Sequence, residues 1–324
     1  MVADQIPSQQ RKDRDCRRRK KSEERSGNGQ QQTGKEAKTL QWEAQHRSAG
    51  SAICSCSHLL FGLRGLEYKF MASGAQVELW QAEKVATQVT VAKAPNGIHF
   101  TMWGETRISD VELERLVNAV PATLSAALEH RAYYFVPLAI ADTDETMIAP
   151  GYSVDLGDRA ICHRDAIFGS TEAVFLSTRL VEDRFGLAFE FFINVAHNFV
   201  ESAGVPESFS ALLWQQAEAQ VRGETSQDAW ETRRRAQDNK SLEGKSAQKS
   251  IDERARSAYF ESAFSDALAI YMLSLAVDFD YHDLRERDYP LLAAPALAER
   301  LRHIANLFPA NQDYEFQILY RRKG

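Results

Sequence analysis

The most informative stretch of this chain is LAFEFFINVAHNFVESA, residues 187–203. Its apolar residues are too continuous for a surface helix, so the sequence predicts a nearly buried α-helix. At about 100° per residue, the polar side chains of this helix fall on one side, within an arc of roughly 100°. We call them the polar line; they are Glu190, Asn194, His197, Asn198 and Glu201.

The polar line has two interpretations. His197 and Glu201 are four residues apart, so their side chains can reach one point, as two ligands of a metal ion must. Glu and Asn also suit water, and a single His is an ordinary surface residue, so the line equally fits the one solvent-facing edge of a buried helix. Phe192 and Phe199 lie opposite the polar line and are predicted to be buried in either case.

Charge divides the chain into two parts. Residues 1–70 hold 14 of the 39 Lys and Arg and 8 of the 45 Asp and Glu, which leaves 25 and 37 for residues 71–324. The first part has a basic run at residues 17–21 and almost no apolar periodicity, so it cannot bury enough area to offset an ordering entropy of about 1–2 kcal/mol per residue. We therefore predict that residues 1–70 are disordered. The basic run lacks interleaved aromatic residues and precedes an acidic body, which argues against nucleic acid as a partner.

Ordered patterning begins at Met71, which predicts that Met71 is the biological start and that residues 1–70 are a start-site artefact. Of the four cysteines, only Cys162 lies beyond that point. One cysteine cannot form an internal disulfide, so we expect a reducing, cytoplasmic location. No segment approaches about 18 uninterrupted apolar residues, so no membrane span is predicted.

The first half of the body has the pattern of strands. Alternation over residues 85–91 and 98–102, on either side of a Pro-Asn-Gly turn at residues 95–97, predicts a β-hairpin. The apolar runs 132–141 and 173–180 predict buried strands.

The later part has the pattern of helices. One helix is already predicted among the strands: Ser109 and Glu112 indicate a capping box at its start, and Pro121 ends or kinks it. Helical periodicity follows at residues 209–222, 258–275 and 294–307.

Strands that precede helices predict an α+β fold, in which an N-terminal mixed sheet is followed by a mainly helical half, within one domain of residues 71–324. Residues 223–256 are polar and charged, so we predict that they form an exposed helical excursion or a flexible loop. Residues 316–320 predict a terminal strand.

From residue 173 to residue 275, the order of strand, apolar helix, charged excursion and second apolar helix resembles the gluzincin-type branch of the zincin metallopeptidases. In that family one helix carries His-Glu-x-x-His, whose histidines bind zinc and whose Glu activates water, and a later helix supplies a Glu ligand within Glu-x-x-x-Asp. HNFVE at residues 197–201 takes the place of the first motif, and Ser262 and Asp266 fit the register of the second. The resemblance implies a zincin-like fold.

The motif residues are largely replaced. Asn198 stands at the position of the family's general base, and a neutral amide cannot accept a proton from a metal-bound water. Loss of a general base typically removes about 10²- to 10⁴-fold of the rate. His197, Glu201 and Glu261 nevertheless form a candidate ligand set for zinc, or for Mn²⁺ or Fe²⁺, because imidazole and carboxylates bind these ions. In packed helices, His197 is expected to face the second apolar helix near Glu261 or Asp266.

Three functional hypotheses follow. The first is a zincin-like domain that is catalytically impaired and serves as a scaffold or as a binding protein for a protein or peptide. The second is a metal-dependent hydrolase or peptidase with a non-standard site of His197, Glu201 and Glu261. The third is a protein-interaction module unrelated to peptidases. Cys162 is interpreted as a core residue, although a nucleophilic role with a distant His stays open.

Overall fold

The structure is a computed structural model that describes residues 78–142, 145–180, 182–237, 252–284 and 289–318. The predictions for residues 1–70 and for the start at Met71 lie outside the described residues, as do residues 238–251 of the predicted excursion.

The α+β class is confirmed, because the described residues form two β-sheets and abundant helices. The strands are Trp80–Gln81 (β1), Ala92–Lys93 (β2), His99–Met102 (β3), Arg131–Val136 (β4), Leu138–Asp142 (β5), Glu145–Ala149 (β6), Ala160–Ile161 (β7), His163–Phe168 (β8) and Thr171–Ser177 (β9). The helices are Ala82–Gln88 (α1), Asp110–Asn118 (α2), Val154–Gly157 (α3), Arg184–Ala203 (α4), Glu207–Glu218 (α5), Gln227–Gln237 (α6), Glu253–Ala276 (α7) and Ala294–Leu307 (α8). Segments of 3₁₀ helix occupy Ala122–Leu128, Thr178–Leu180 and Tyr281–Leu284.

A five-stranded mixed sheet has the order β2-β3-β4-β9-β8. Its three central strands β3, β4 and β9 are parallel, whereas β2 and β8 run antiparallel to their neighbours. Along β4, Tyr133 and Phe135 face the main core beneath the helices, and Tyr134 and Val136 face a second core on the other side. Successive side chains of a strand point to opposite faces, so β4 contributes to a core on each side of the sheet.

The apolar run 132–141 is buried as predicted, but it supplies two sheets rather than one strand. β4 ends at Val136, and β5 begins at Leu138 in a separate antiparallel sheet of order β1-β6-β5-β7. Pro137 lies between them, and its ring lacks the N–H that a continuous strand would need for pairing.

The predicted turn and second strand of the hairpin are confirmed, since β2 pairs with β3 and Gly97 lies in the turn at a φ of 93°. The predicted strand over residues 85–91 is wrong, because residues 82–88 form helix α1. Ala82 and Val85, three residues apart, lie on one face of that helix and are its buried residues. Residues three apart share a face of a helix but lie on opposite faces of a strand, so packing of both against the second core selects the helix.

The helical predictions agree closely with the structure. Ser109 and Glu112 form the capping box at the start of α2. Phe192 is fully buried in α4, and Phe199 packs against Phe264 of α7, with 6.2 Å between the ring centroids. The two apolar helices α4 and α7 therefore pack against each other, as predicted for the centre of the domain.

The exposed excursion predicted from residue 223 is wrong for residues 223–237. Glu224 is fully buried and pairs with Arg233 at 3.0 Å and with Arg300 at 2.8 Å. Tyr259 donates a further hydrogen bond to Glu224. Because these opposite charges satisfy one another, a charged sequence can be buried here. The terminal strand predicted over residues 316–320 is not formed at residues 316–318, and its last two residues lie outside the described part.

Candidate functional site

The polar line of α4 is not a solvent-facing edge. Glu190, Asn194 and Asn198 are each no more than 6 % exposed, so the solvent-edge interpretation is wrong for these three residues. Only the last member, Glu201, is well exposed, with 72 % of its side chain accessible. Glu190 and Asn198 contact side chains of the five-stranded sheet, which replace the water that they would otherwise need.

Arg131, the first residue of β4, binds the last turns of α4. Its Nη1 donates to Oδ1 of Asn198, and its Nη2 donates to Oε2 of Glu201 at 2.6 Å. Its Nε forms an ion pair with Glu172 of β9, also at 2.6 Å. Asn198 in turn donates through Nδ2 to the hydroxyl of Tyr133 at 3.3 Å. A single guanidinium thus connects two strands to the helix.

The edge strand β8 meets the other end of the polar line. His163 and Asp165 pair in register with Leu176 and Val174, which face the main core, so both side chains point to the side of the sheet that carries α4. Nδ1 of His163 lies 2.5 Å from Oε1 of the buried Glu190.

Asn194 of the polar line forms a hydrogen bond to the backbone of its own helix. Asn194 donates through Nδ2 to the carbonyl oxygen of Glu190 at 2.7 Å. This is a bond across one helical turn, and it fixes the amide beside the carboxylate.

Two groups near the polar line have pKa values above their ordinary values. Partial desolvation raises the pKa of the Asp165 carboxyl, and the charge of Glu201 adds to the shift, while His163 and Arg131 oppose it. Burial likewise raises the pKa of the Tyr133 hydroxyl far above its ordinary value. Tyr133 therefore acts only as a neutral hydrogen-bonding group near pH 7.

Cys162 is half-buried rather than a core residue, and it is a free thiol. Burial raises its pKa, and the charge of Glu190 raises it further, although Nη2 of Arg179 lies 3.3 Å from the sulfur. A thiol that resists ionisation is a poor nucleophile, so this arrangement does not favour nucleophilic catalysis.

The predicted metal ligands are not brought together. Glu201 is held by Arg131, and Glu261 accepts a hydrogen bond from Ser257 on an exposed part of α7. In the part of the chain that the structure describes, no three His, Cys, Asp or Glu side chains converge as a metal ion would require. Metal binding by His197, Glu201 and Glu261 stays a prediction.

The second-helix motif is engaged elsewhere as well. The hydroxyl of Ser262 donates to the carbonyl oxygen of Ala258, and Asp266 accepts a hydrogen bond from Thr225 at 2.8 Å. The orientation of His197 toward α7 stays a prediction.

Two of the residues that meet the polar line were not identified from the sequence. Arg131 gave a weak signal, since it is a single charge directly before a buried apolar run. His163 gave none, because its partner Glu190 lies 27 residues away on a helix and no local pattern connects the two.

These residues lie where β8 and its neighbouring strands meet α4, and we call this region the polar groove. Its charged lining consists of Arg131, His163, Asp165, Glu172, Glu190 and Glu201. β8 is at the edge of its sheet, and its residue Ile167 is 75 % exposed beside this charged lining. An edge strand offers unpaired backbone groups, so the groove combines backbone hydrogen-bonding capacity with a surplus of carboxylates.

A scan against protein-family models finds no match to this chain, and a search of curated proteins finds no similar sequence. Among the described helices, none is both long enough and apolar enough to cross a membrane.

Proposed function

We propose that this protein is a zincin-like domain that has lost peptidase chemistry and binds an extended, basic peptide in the polar groove. The observation that carries the proposal is the guanidinium of Arg131, which bonds to both Asn198 and Glu201. These are the positions at which the zincin motif has its general base and its second histidine.

The chemistry of those residues supports the loss of activity. A guanidinium stays protonated at all physiological pH values, so it repels a divalent cation from the carboxylate that it occupies. The amide of Asn198 cannot take up a proton from a water molecule. A peptidase alternative with His197, Glu201 and Glu261 would have to separate Glu201 from Arg131.

The charge and position of the groove support peptide binding. Asp165, Glu172 and Glu201 are open to solvent in the groove, and the buried Glu190 adds negative charge behind His163, against the single cation Arg131. A peptide that adds to β8 as a further strand would form backbone hydrogen bonds, and alternate basic side chains would face the carboxylates. A cytoplasmic location is part of the proposal, because Cys162 is a free thiol.

The catalytic part is tested by metal analysis and by a protease assay. Protein purified without chelator should contain no stoichiometric zinc, and it should not cleave denatured casein with or without added Zn²⁺, Mn²⁺ or Fe²⁺. Turnover that the His197→Ala substitution abolishes would contradict the proposal and would favour the metal-dependent hydrolase.

The binding part is tested by fluorescence anisotropy with two labelled peptides, one of alternating Lys and Val and one of alternating Glu and Val. The Lys peptide should bind, and added salt should weaken it, because exposed charges are screened within about 10 Å at 0.1 M salt. Asp165→Asn should weaken binding, whereas Asp155→Asn, which removes an exposed carboxylate of α3 outside the groove, should not. Equal binding of the two peptides, or equal effects of the two substitutions, would exclude the groove as the site.

A further inference from the structure

A cleft lies at the carboxyl ends of the three parallel strands β3, β4 and β9. Its volume is about 90 Å³. The residues that line it are Glu105, Thr106, Arg107, Pro137, Tyr152, Thr178, Arg179 and Glu182. They follow directly on the strand ends Met102, Val136 and Ser177, or come from the loop after β6. Crevices outside the carboxyl ends of parallel strands are where open sheets bind ligands, and none of the groove's charged residues lines this one.

Arg179 provides an unused donor in this cleft. Its Nη1 donates to the carbonyl oxygens of Gly157 and Ala160, at 3.3 and 2.8 Å, and its Nη2 contacts the sulfur of Cys162. Its Nε is buried and has no hydrogen-bond partner within the described part of the chain. A buried charged donor without an acceptor is costly, so an oxyanion that reaches it would be stabilised.

Arg107 provides a second cation, held in a strained conformation. Its φ is 61°, which only a small fraction of residues other than glycine adopt. Its guanidinium lies 5.0 Å from the centre of the Tyr152 ring, so a cation–π contact orients it. Strain that surrounding contacts maintain at a cleft is typical of ligand-binding positions.

Two carboxylates balance these cations. Glu105 and Glu182 line the same cleft and are both exposed, whereas the unused Nε of Arg179 is buried. A simple anion would be repelled by the two glutamates, and a simple cation would be repelled by the two arginines. A ligand with both charges meets an opposite charge at each end.

We propose that this cleft binds a small zwitterion of amino-acid size, with its carboxylate on Arg179 and Arg107 and its ammonium toward Glu105 and Glu182. Arg179 and Arg107 both line the cleft, and the unpaired Nε of Arg179 assigns the carboxylate end to the inner side. The exposed glutamates fix the ammonium end at the rim.

The test is an NMR titration of the full chain with four probes: glycine, acetate, methylammonium and inorganic phosphate. Glycine should bind at millimolar concentrations or below, and each of the other three should bind at least about tenfold more weakly, since each leaves one pair of charged side chains without a partner. Equal or tighter binding of acetate or phosphate would overturn the zwitterion assignment. No binding of glycine would overturn the site.

The Arg107→Gly substitution supplies the matched variant. Glycine adopts positive φ at no steric cost, so this variant removes the cation while the fold is kept or stabilised. It should weaken glycine binding at least about tenfold, which is the typical worth of one charged hydrogen bond. Arg164→Ala, which removes an exposed arginine of β8, should leave binding unchanged. Unchanged binding in Arg107→Gly, or a loss in both variants, would overturn the proposal.

Discussion

Arg131 and Glu201 are 70 residues apart in sequence, yet Nη2 of the arginine donates to the carboxylate across 2.6 Å. The arginine side chain is 9 % exposed and the glutamate side chain is 72 % exposed, so this bond lies where buried structure meets solvent. Asn198, one helical turn before Glu201, binds the same guanidinium and is only 5 % exposed. The buried amide should therefore contribute more to stability than the exposed carboxylate.

Asn198→Ala should lower the free energy of unfolding by about 1–3 kcal/mol, because it leaves Nη1 of Arg131 without its acceptor in a buried place. Glu201→Ala should cost less than about 1 kcal/mol, since exposed ion pairs contribute little. Urea denaturation of the two variants measures the difference. Equal losses would show that the guanidinium does not depend on Asn198.

Phe199→Ala should cost about 3–5 kcal/mol, because the ring is 7 % exposed and packs against Phe264 and Phe308. Val111→Ala is a suitable control, as Val111 is 75 % exposed on α2 and surface changes are usually within about 0.5 kcal/mol. Chemical denaturation of both variants measures the difference in their free energies of unfolding. A Phe199→Ala variant as stable as the control would mean that Phe199 does not lie in the centre of the hydrophobic core.

Glu224→Ala should cost about 3–5 kcal/mol, because it leaves the guanidinium groups of Arg300 and Arg233 buried without their carboxylate. The control is Glu231→Ala, which breaks an exposed pair with Arg235 and should cost no more than about 1 kcal/mol. Thermal melting and urea titration of both variants test this. If Glu224→Ala unfolds no more easily than the control, the buried network does not stabilise the helical half.

Asp165→Asn should stabilise the fold at neutral pH and have little effect in acid. The pKa of Asp165 is raised above its ordinary value of 3.8, so the folded state holds the proton more tightly than the unfolded chain. The stability linked to that proton is present below the ordinary value and is lost as the pH rises through the folded value. Asparagine is neutral at every pH, so the variant does not lose this stability as the pH rises.

Melting temperatures of the wild type and Asp165→Asn, compared between about pH 4 and about pH 8, should therefore diverge as the pH rises. A constant difference over that range, or one that shrinks as the pH rises, would show that the carboxyl is not disfavoured in its charged form.

The elements that were predicted correctly depend on local pattern. Ser109 and Glu112 lie three residues apart, so the capping box of α2 needs only its own turn. The prediction of a strand at residues 85–91 also depended on local pattern, and it was wrong. Val85 and its neighbours include too few apolar residues to distinguish a period of two from a period of 3.6. The run 132–141 was correctly predicted as buried, but its division at Pro137 between two sheets depends on strands that are distant in sequence.

The period of the side chains sets which of them share a face, so residues 187–203 alone predict a buried helix with one polar line. The same period places Phe192 and Phe199 on the opposite, apolar face. The partners of the polar line depend on contacts between distant parts of the chain. Arg131 reaches Asn198 across 67 residues, and His163 reaches Glu190 across 27. Such partners depend on strand order and register, which bring together groups that no local periodicity connects.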